Sequence, residues 1–228
     1  KSAHSFWYEI EGLYNKHNVD FMWDVSDSFT RPFTRLKELA KHKPSNLPVS
    51  FLLYARACDI DNETALLLSR IGAYEVFVGV ESADNRLLRA ANRGQNSMDA
   101  MNAVRLLAGY GIKTLVSFQL GLPGENEESC KATIRLAREL TETGSVSEVF
   151  SSILLPIPGS KSFDNLMQYD EMKKKYGKLD ILPLEELRQD FIRQFCLVDY
   201  EYLSQVRDEI MTLYPLSSSL GKPRQTTH

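Results

Sequence analysis

Short runs of apolar and β-branched residues alternate along this chain with longer segments whose apolar positions recur every three or four residues. Residues 6–16 have helical spacing, with Tyr8, Ile10, Leu13 and Tyr14 on one stripe and Trp7 read with them as core. Strands are predicted at 19–25 (VDFMWDV), 49–54 (VSFLLY), 75–80 (EVFVGV), 112–120 (IKTLVSFQL) and 148–154 (EVFSSIL). Between them lie helices at 34–42, at 62–71 with Asp61 as cap and Gly72 as stop, at 97–109 capped by Ser97, and at 127–143. Strands begin at intervals of roughly 25 to 40 residues, the length of a βα unit. Five such units fit an open doubly wound sheet or part of a (β/α) barrel, and both place a ligand at the C-terminal strand ends. Beyond residue 160 the pattern changes. Residues 161–167 and 170–176 read as short helices, 183–214 as a helical run without a strand, and 217–228 as a polar, frayed tail.

Composition narrows this little. The chain has 228 residues, 43% hydrophobic and 25% charged, enough for a packed core. The net charge of −3 gives no broad pull on nucleic acid or anionic lipid. No run approaches a membrane span and no secretory signal pattern opens the chain, so a cytoplasmic, membrane-free protein is expected. Cys58, Cys130 and Cys196 fit no metal or disulfide spacing and read as small buried or half-buried side chains in a reducing compartment. His4, His17, His42 and His228 form no metal pattern, and Lys173-Lys174-Lys175 reads as a solvated helix face.

Chemistry gathers at the strand ends: Ser26-Asp27, Arg56, Glu81-Ser82, Ser117 with Gln119, and Ser151-Ser152. Glu81 can accept hydrogen bonds from a ligand amine or ribose hydroxyl, or be a helix-capping acid or a salt-bridge partner. Arg56 and Arg93, the latter in Asn92-Arg93-Gly94, can clamp a carboxylate or lie on the surface. Gly121-Leu122-Pro123-Gly124-Glu125 lets backbone approach a planar ligand, or is an ordinary βα turn. Tyr200, Tyr202 and Tyr214 can pack on the sheet or serve a partner.

In combination these segments form an ordered set. Ser26-Asp27-Ser28-Phe29-Thr30 leads to Tyr54-Ala55-Arg56-Ala57, then Gly79-Val80-Glu81-Ser82, Asn92-Arg93-Gly94, the 121–125 turn and Leu155-Pro156-Ile157-Pro158-Gly159. The set resembles the radical S-adenosylmethionine superfamily over residues 6–165. It is most similar to the branch whose members carry a cobalamin-binding domain or act as methylthiotransferases. The resemblance implies an α/β fold, a partial (β/α)6 TIM-like barrel over residues 1–165 with its first strand and cluster loop missing, and a helical C-terminal extension over 166–228. It implies S-adenosylmethionine and a 4Fe-4S cluster as cofactors, with cobalamin in the cobalamin-dependent members. It also implies a reductant such as ferredoxin or flavodoxin.

Carried onto this chain, the resemblance places Ser26 and Asp27 at the methionine amino group. Arg56, Glu81, Ser82 and Arg93 face the methionine carboxylate, ribose or substrate. Ser117, Gln119 and Leu120 lie along ribose and adenine with the turn that follows. The cluster motif CxxxCxxC is not in this sequence and is expected just before Lys1, so this stretch alone would be inactive in generating a 5′-deoxyadenosyl radical. The alternative is a cluster-less barrel that binds a nucleotide-like ligand or a partner. An apolar sheet edge is expected where the first strand belongs. No residue pattern names the substrate, small molecule or macromolecule.

Overall fold

The computed structural model describes residues 1–178 and 181–213. Strands β1 (Phe21–Trp23), β2 (Ser50–Arg56), β3 (Ala73–Glu81), β4 (Lys113–Leu120) and β5 (Val146–Ile153) alternate with helices. These are α1 (Ala3–His17), α2 (Phe33–Lys41), α3 (Asn62–Ile71), α4 (Asn85–Ala90), α5 (Ser97–Gly109) and α6 (Glu127–Glu142). Helices α7 (Lys161–Leu166), α8 (Asp170–Tyr176), α9 (Leu184–Phe195) and α10 (Tyr200–Leu213) follow. All strand pairings are parallel, and the spatial order is the chain order. A doubly wound sheet reverses its order at a switch point, and this sheet has no reversal. Right-handed crossovers running one way put every helix on one face, so the sheet is half of a barrel.

Alternation along the strands sorts the two faces. Phe51, Leu53, Val76, Val78, Val116, Phe118 and Val149 join the helices in one buried core. The intervening positions Tyr54, Arg56, Phe77, Gly79 and Ser117 face the concave side. Tyr54 pairs with Phe77, Arg56 with Gly79, and Gly79 with Ser117.

Several boundaries follow from local chemistry. The α3 helix is bounded as its sequence predicts, with Asp61 accepting from Thr64 N–H at 2.7 Å and Gly72 at φ 95°. A Cβ on Gly72 would lie 2.5 Å from the Val49 carbonyl oxygen. The α5 cap is Asn96 rather than Ser97, completed by Asp99 in a reciprocal capping box. The first strand is shorter than its apolar run because the Asp24 carboxylate accepts from the N–H and the hydroxyl of Ser26 and turns the chain. On α1 the buried stripe is Trp7 and Ile10 flanked by Phe6 and Tyr14, whereas Tyr8 and Leu13 are exposed. Trp7 donates its indole N–H to the Leu39 carbonyl at 2.8 Å, which fixes its ring inward. Phe21 and Trp23 are exposed on β1, an end strand of the described sheet, and Trp23 stacks on Tyr54 of the concave face.

The helical run expected over 183–214 is two helices; Tyr214, His228 and the 217–228 tail lie outside the described residues. The break falls after Phe195, where backbone groups bond the turn after β4 instead of continuing the helix. Asp199 then caps α10 by accepting from Tyr202 N–H at 2.8 Å. Leu187, Phe191, Ile192, Leu203, Val206 and Ile210 belong to the same core as the sheet, so the change of pattern near 165 is not a break in packing. Tyr200 and Tyr202 pack against that core. Asp190, buried on α9, accepts from Lys175 Nζ at 2.6 Å, Tyr176 hydroxyl at 2.6 Å and Arg193 Nη1 at 2.8 Å. Burial raises its pKa, but these donors outweigh burial and hold it below the usual carboxylate value. Lys175 is therefore part of a clamp between α8 and α9, and only its neighbours fit a merely solvated face. No helix among the described residues is long and apolar enough to cross a membrane.

Asp190→Ala strips Lys175, Tyr176 and Arg193 of their common acceptor. It is expected to cost about 3 kcal/mol in urea unfolding, within the range for breaking a buried charge network. Arg138→Ala, which removes an exposed pair with Glu209, is expected to cost under about 1 kcal/mol.

Candidate functional site

The C-terminal ends of β2, β3 and β4 form a cleft of about 260 Å³. Tyr54, Arg56, Phe77, Gly79, Glu81 and Ser117 line it from the sheet, Asp27 from the loop after β1, and Arg93 and Gln95 from the loop between α4 and α5. Tyr54 and Phe77 form its apolar floor with ring centres 4.7 Å apart, and Trp23 stacks on Tyr54 at 6.3 Å.

The polar groups are organised about β3. Glu81 has φ 71°, a left-handed backbone that a side-chain-bearing residue adopts at a cost. Its register to β4 shifts there, which turns the carboxylate into the cleft. Gly79 leaves it room, since a Cβ on Gly79 would lie 3.1 Å from Glu81 Oε1. Arg93 Nη1 lies 3.2 Å from the same oxygen. Burial raises the Glu81 pKa, and the Arg93 charge opposes that rise. Arg56 donates to the Arg93 carbonyl, and Gln95 donates to the carbonyls of Gly79 (2.8 Å) and Val80 (3.3 Å). A Cβ on Gly94, at φ 63°, would sit 3.1 Å from Arg56 Nη2. The loop carrying Arg93 is thus laced to the ends of β2 and β3 by bonds from both sides.

The structure brings Asp27, Arg56, Glu81, Arg93 and Ser117 together. Gln119 and Ser152 continue the polar row on the same face, joined at 3.4 Å. Ser26 bonds Asp24 in the loop after β1. Ser82 is fully buried, accepting from Asp84 N–H at 3.1 Å within the turn toward α4. Leu120 is fully buried in the core between sheet and helices. Ser151 points into the helix layer, beside Met211. The sequence marks Tyr54 and Phe77 only as members of strand segments, without a site role, and does not mark Gln95. Alternation with core positions marks the two aromatics, whereas Gln95 lies in an aperiodic loop that carries no such signal.

At the end of β4 the turn 121–125 holds Glu125, which is fully buried. Its Oε2 accepts from Gly121 N–H and from Leu122 N–H at 3.3 Å, and its Oε1 has no hydrogen-bond partner among the described residues. Burial pushes its pKa up to about 7 against the pull of the two amides.

The cysteines do not fit an iron–sulfur cluster. Cys58 is exposed, contrary to its expected burial, because it follows β2 on an outward turn. Cys130 is buried in α6 with its thiol pKa pushed up by burial, and Cys196 in the α9–α10 link is pushed up to about 12 by burial. A cluster needs accessible, readily ionised thiolates side by side. Among the described residues no group of three or more histidine, cysteine or carboxylate side chains is placed to hold a metal ion.

The model of the family described as "Radical SAM superfamily" matches residues 16–137. An uncharacterized methyltransferase of Pyrococcus horikoshii is 25% identical over 157 residues, covering 68% of this chain and 33% of that protein. The chain therefore spans about a third of that relative's length. A radical S-adenosylmethionine methyltransferase from Kitasatospora setae, solved with cobalamin and a [4Fe-4S] cluster, superposes with TM-score 0.60 at 23% identity. The match covers 69% of this chain and 32% of that one. The cobalamin-dependent S-adenosylmethionine radical enzyme OxsB superposes with TM-score 0.51 at 16% identity, over 97% of this chain and 33% of that one. Both likenesses place the fold as the half-barrel described above.

Glu125 gives a pH signature. Its pKa is raised in the folded state, so its contribution to stability is complete below the ordinary value of 4.5 and is lost as pH rises through about 7. Glu125→Gln lacks this titration. The stability of the variant relative to wild type is expected to rise by about 3 kcal/mol between pH 4.5 and 8, read from denaturant unfolding at each pH. A flat difference contradicts the assignment.

Proposed function

This chain belongs to the radical SAM superfamily, and we propose that its strand-end cleft binds S-adenosylmethionine. The observation that carries the proposal is the Glu81–Arg93 pair at the cleft, with Arg56 beside it. An amino-acid head is zwitterionic. A largely buried carboxylate paired with Arg93, with the Arg56 guanidinium lining the same cleft, offers each of its charges a partner out of bulk water. The left-handed backbone of Glu81 and the missing side chain of Gly79, which leaves that carboxylate room, support the same reading.

In this reading Asp27, with Ser26 in the same loop, meets the methionine amino group. Arg56 and Arg93 hold the methionine carboxylate, while Glu81 shares the methionine ammonium with Asp27 and accepts from the ribose. Ser117 and Gln119 line the nucleoside end along β4. Ser82 and Leu120 contribute through main chain, because their side chains are buried elsewhere. Tyr54 and Phe77 exclude water beneath the ligand. Beside a reduced 4Fe-4S cluster, S-adenosylmethionine supplies one-electron cleavage chemistry. The cluster ligands, the reductant and the cobalamin held by both solved neighbours belong, in this proposal, to a longer protein. The methyltransferase relatives favour group transfer as its reaction.

Calorimetry on the full-length protein tests the cleft. Glu81→Ala and Arg56→Ala are each expected to weaken S-adenosylmethionine binding by at least ~1.5 kcal/mol, more than tenfold, as for loss of a charged hydrogen-bond partner. Unchanged affinity in either variant removes that residue from the site. Binding without 5′-deoxyadenosine release by the anaerobically reconstituted protein favours a binding module over an enzyme.

A further inference from the structure

We propose that Glu125 is a positioning residue that ties the turn after β4 to the link between α9 and α10, so that the C-terminal helices set the backbone of the cleft's nucleoside end. The inference rests on the reading of that cleft as the S-adenosylmethionine site.

The tie is made by both halves of the residue. The side chain gathers the N–H groups of Gly121 and Leu122 on one oxygen. The main-chain carbonyl accepts from Leu197 N–H at 2.8 Å. One residue earlier, Gly124 donates its N–H to the Phe195 carbonyl at 2.8 Å, and Cys196 donates its thiol to the Leu122 carbonyl at 3.5 Å. These bonds occupy the backbone groups that would otherwise have continued α9, so the helix ends where the turn takes them. Side-chain packing agrees. Gly121 is at φ 81°, and a Cβ there would lie 2.5 Å from Ile192 Cδ1, so α9 sits directly against the turn. The clamp at Asp190 fixes α9 in turn against α8.

The carboxyl of Glu125 is an unusual choice for a turn. It is fully buried and has no ion-pair partner among the described contacts. The charge nearest it is Asp84, which raises its pKa further, and the thiols of Cys130 and Cys196 beside it are kept neutral by burial, so none of these attracts an anion. A buried carboxyl kept under those conditions is explained by its bonds to two successive amides, which a shorter or apolar side chain cannot reach. Glutamine keeps the shape and one acceptor oxygen; alanine keeps neither.

Amide hydrogen exchange of the full chain tests the tie, with S-adenosylmethionine titration as a second arm. In Glu125→Ala the informative amides are Gly124 and Leu197, whose bonds do not involve the lost side chain. Both are expected to exchange about tenfold faster, while amides of β2 and β3 keep their protection. Glu125→Gln restores both. Leu197→Pro, which removes the link's donor on an exposed residue, is expected to loosen Gly121 and Leu122 in the same way. In the second arm, Glu125→Ala raises the Kd for S-adenosylmethionine about tenfold, and Glu125→Gln restores it. Unchanged exchange at Gly124 and Leu197 in Glu125→Ala overturns the tie. So does unchanged exchange at Gly121 and Leu122 in Leu197→Pro. Altered exchange with unaltered affinity overturns the positioning role. If wild-type protein binds no S-adenosylmethionine, the reading of the cleft fails, and the exchange arm still decides the tie.

Discussion

Where parallel strands stop, their backbone N–H and C=O groups lose the ladder and must find other partners. Most of the candidate site is a set of solutions to that constraint. Gln95 takes the carbonyls at the end of β3, Arg56 takes the carbonyl of the loop above it, and Glu125 takes the amides after β4. Side chains long enough to reach strand-end backbone are polar, so the same solutions place charge around the cleft. The charges then constrain one another: Arg93 faces Glu81, and Arg31 and Asp59 join the loops after β1 and β2.

The open face owes its shape to connectivity. Each crossover proceeds to the next strand in the same direction, so helices cover only one side and the sheet curls around the other. A long ligand can lie across several strand ends in such a trough, with its head at β2 and β3 and its tail along β4. The helices after β5 complete the covered side: α10 packs on β5 and α6, and α9 reaches the turn after β4. Through α9, the C-terminal helices thus pack against the turn that follows one of the cleft's strands.

Much of this was legible in the sequence. Alternating apolar runs marked all five strands, and Asp61 and Gly72 bounded α3 because capping chemistry is local. The strand-end polar residues were legible as a cluster, and Asp27, Arg56, Glu81, Arg93 and Ser117 do meet. What was not legible depends on contacts distant in sequence. The break between α9 and α10 arises from bonds to residues 122–125, which no helical periodicity encodes. The outward turns of Tyr8 and Leu13 and the burial of Ser82 depend on which neighbour occupies each face. The doubly wound alternative fell only when the strand order was seen, because βα alternation is common to both architectures.

The most direct test of the account is a crystal structure of the full-length protein with S-adenosylmethionine. The account predicts the methionine head between Glu81 and the guanidinium groups of Arg56 and Arg93, with the nucleoside along Ser117 and Gln119. A ligand bound elsewhere, or an empty cleft at millimolar S-adenosylmethionine in crystals that leave it open, would contradict it.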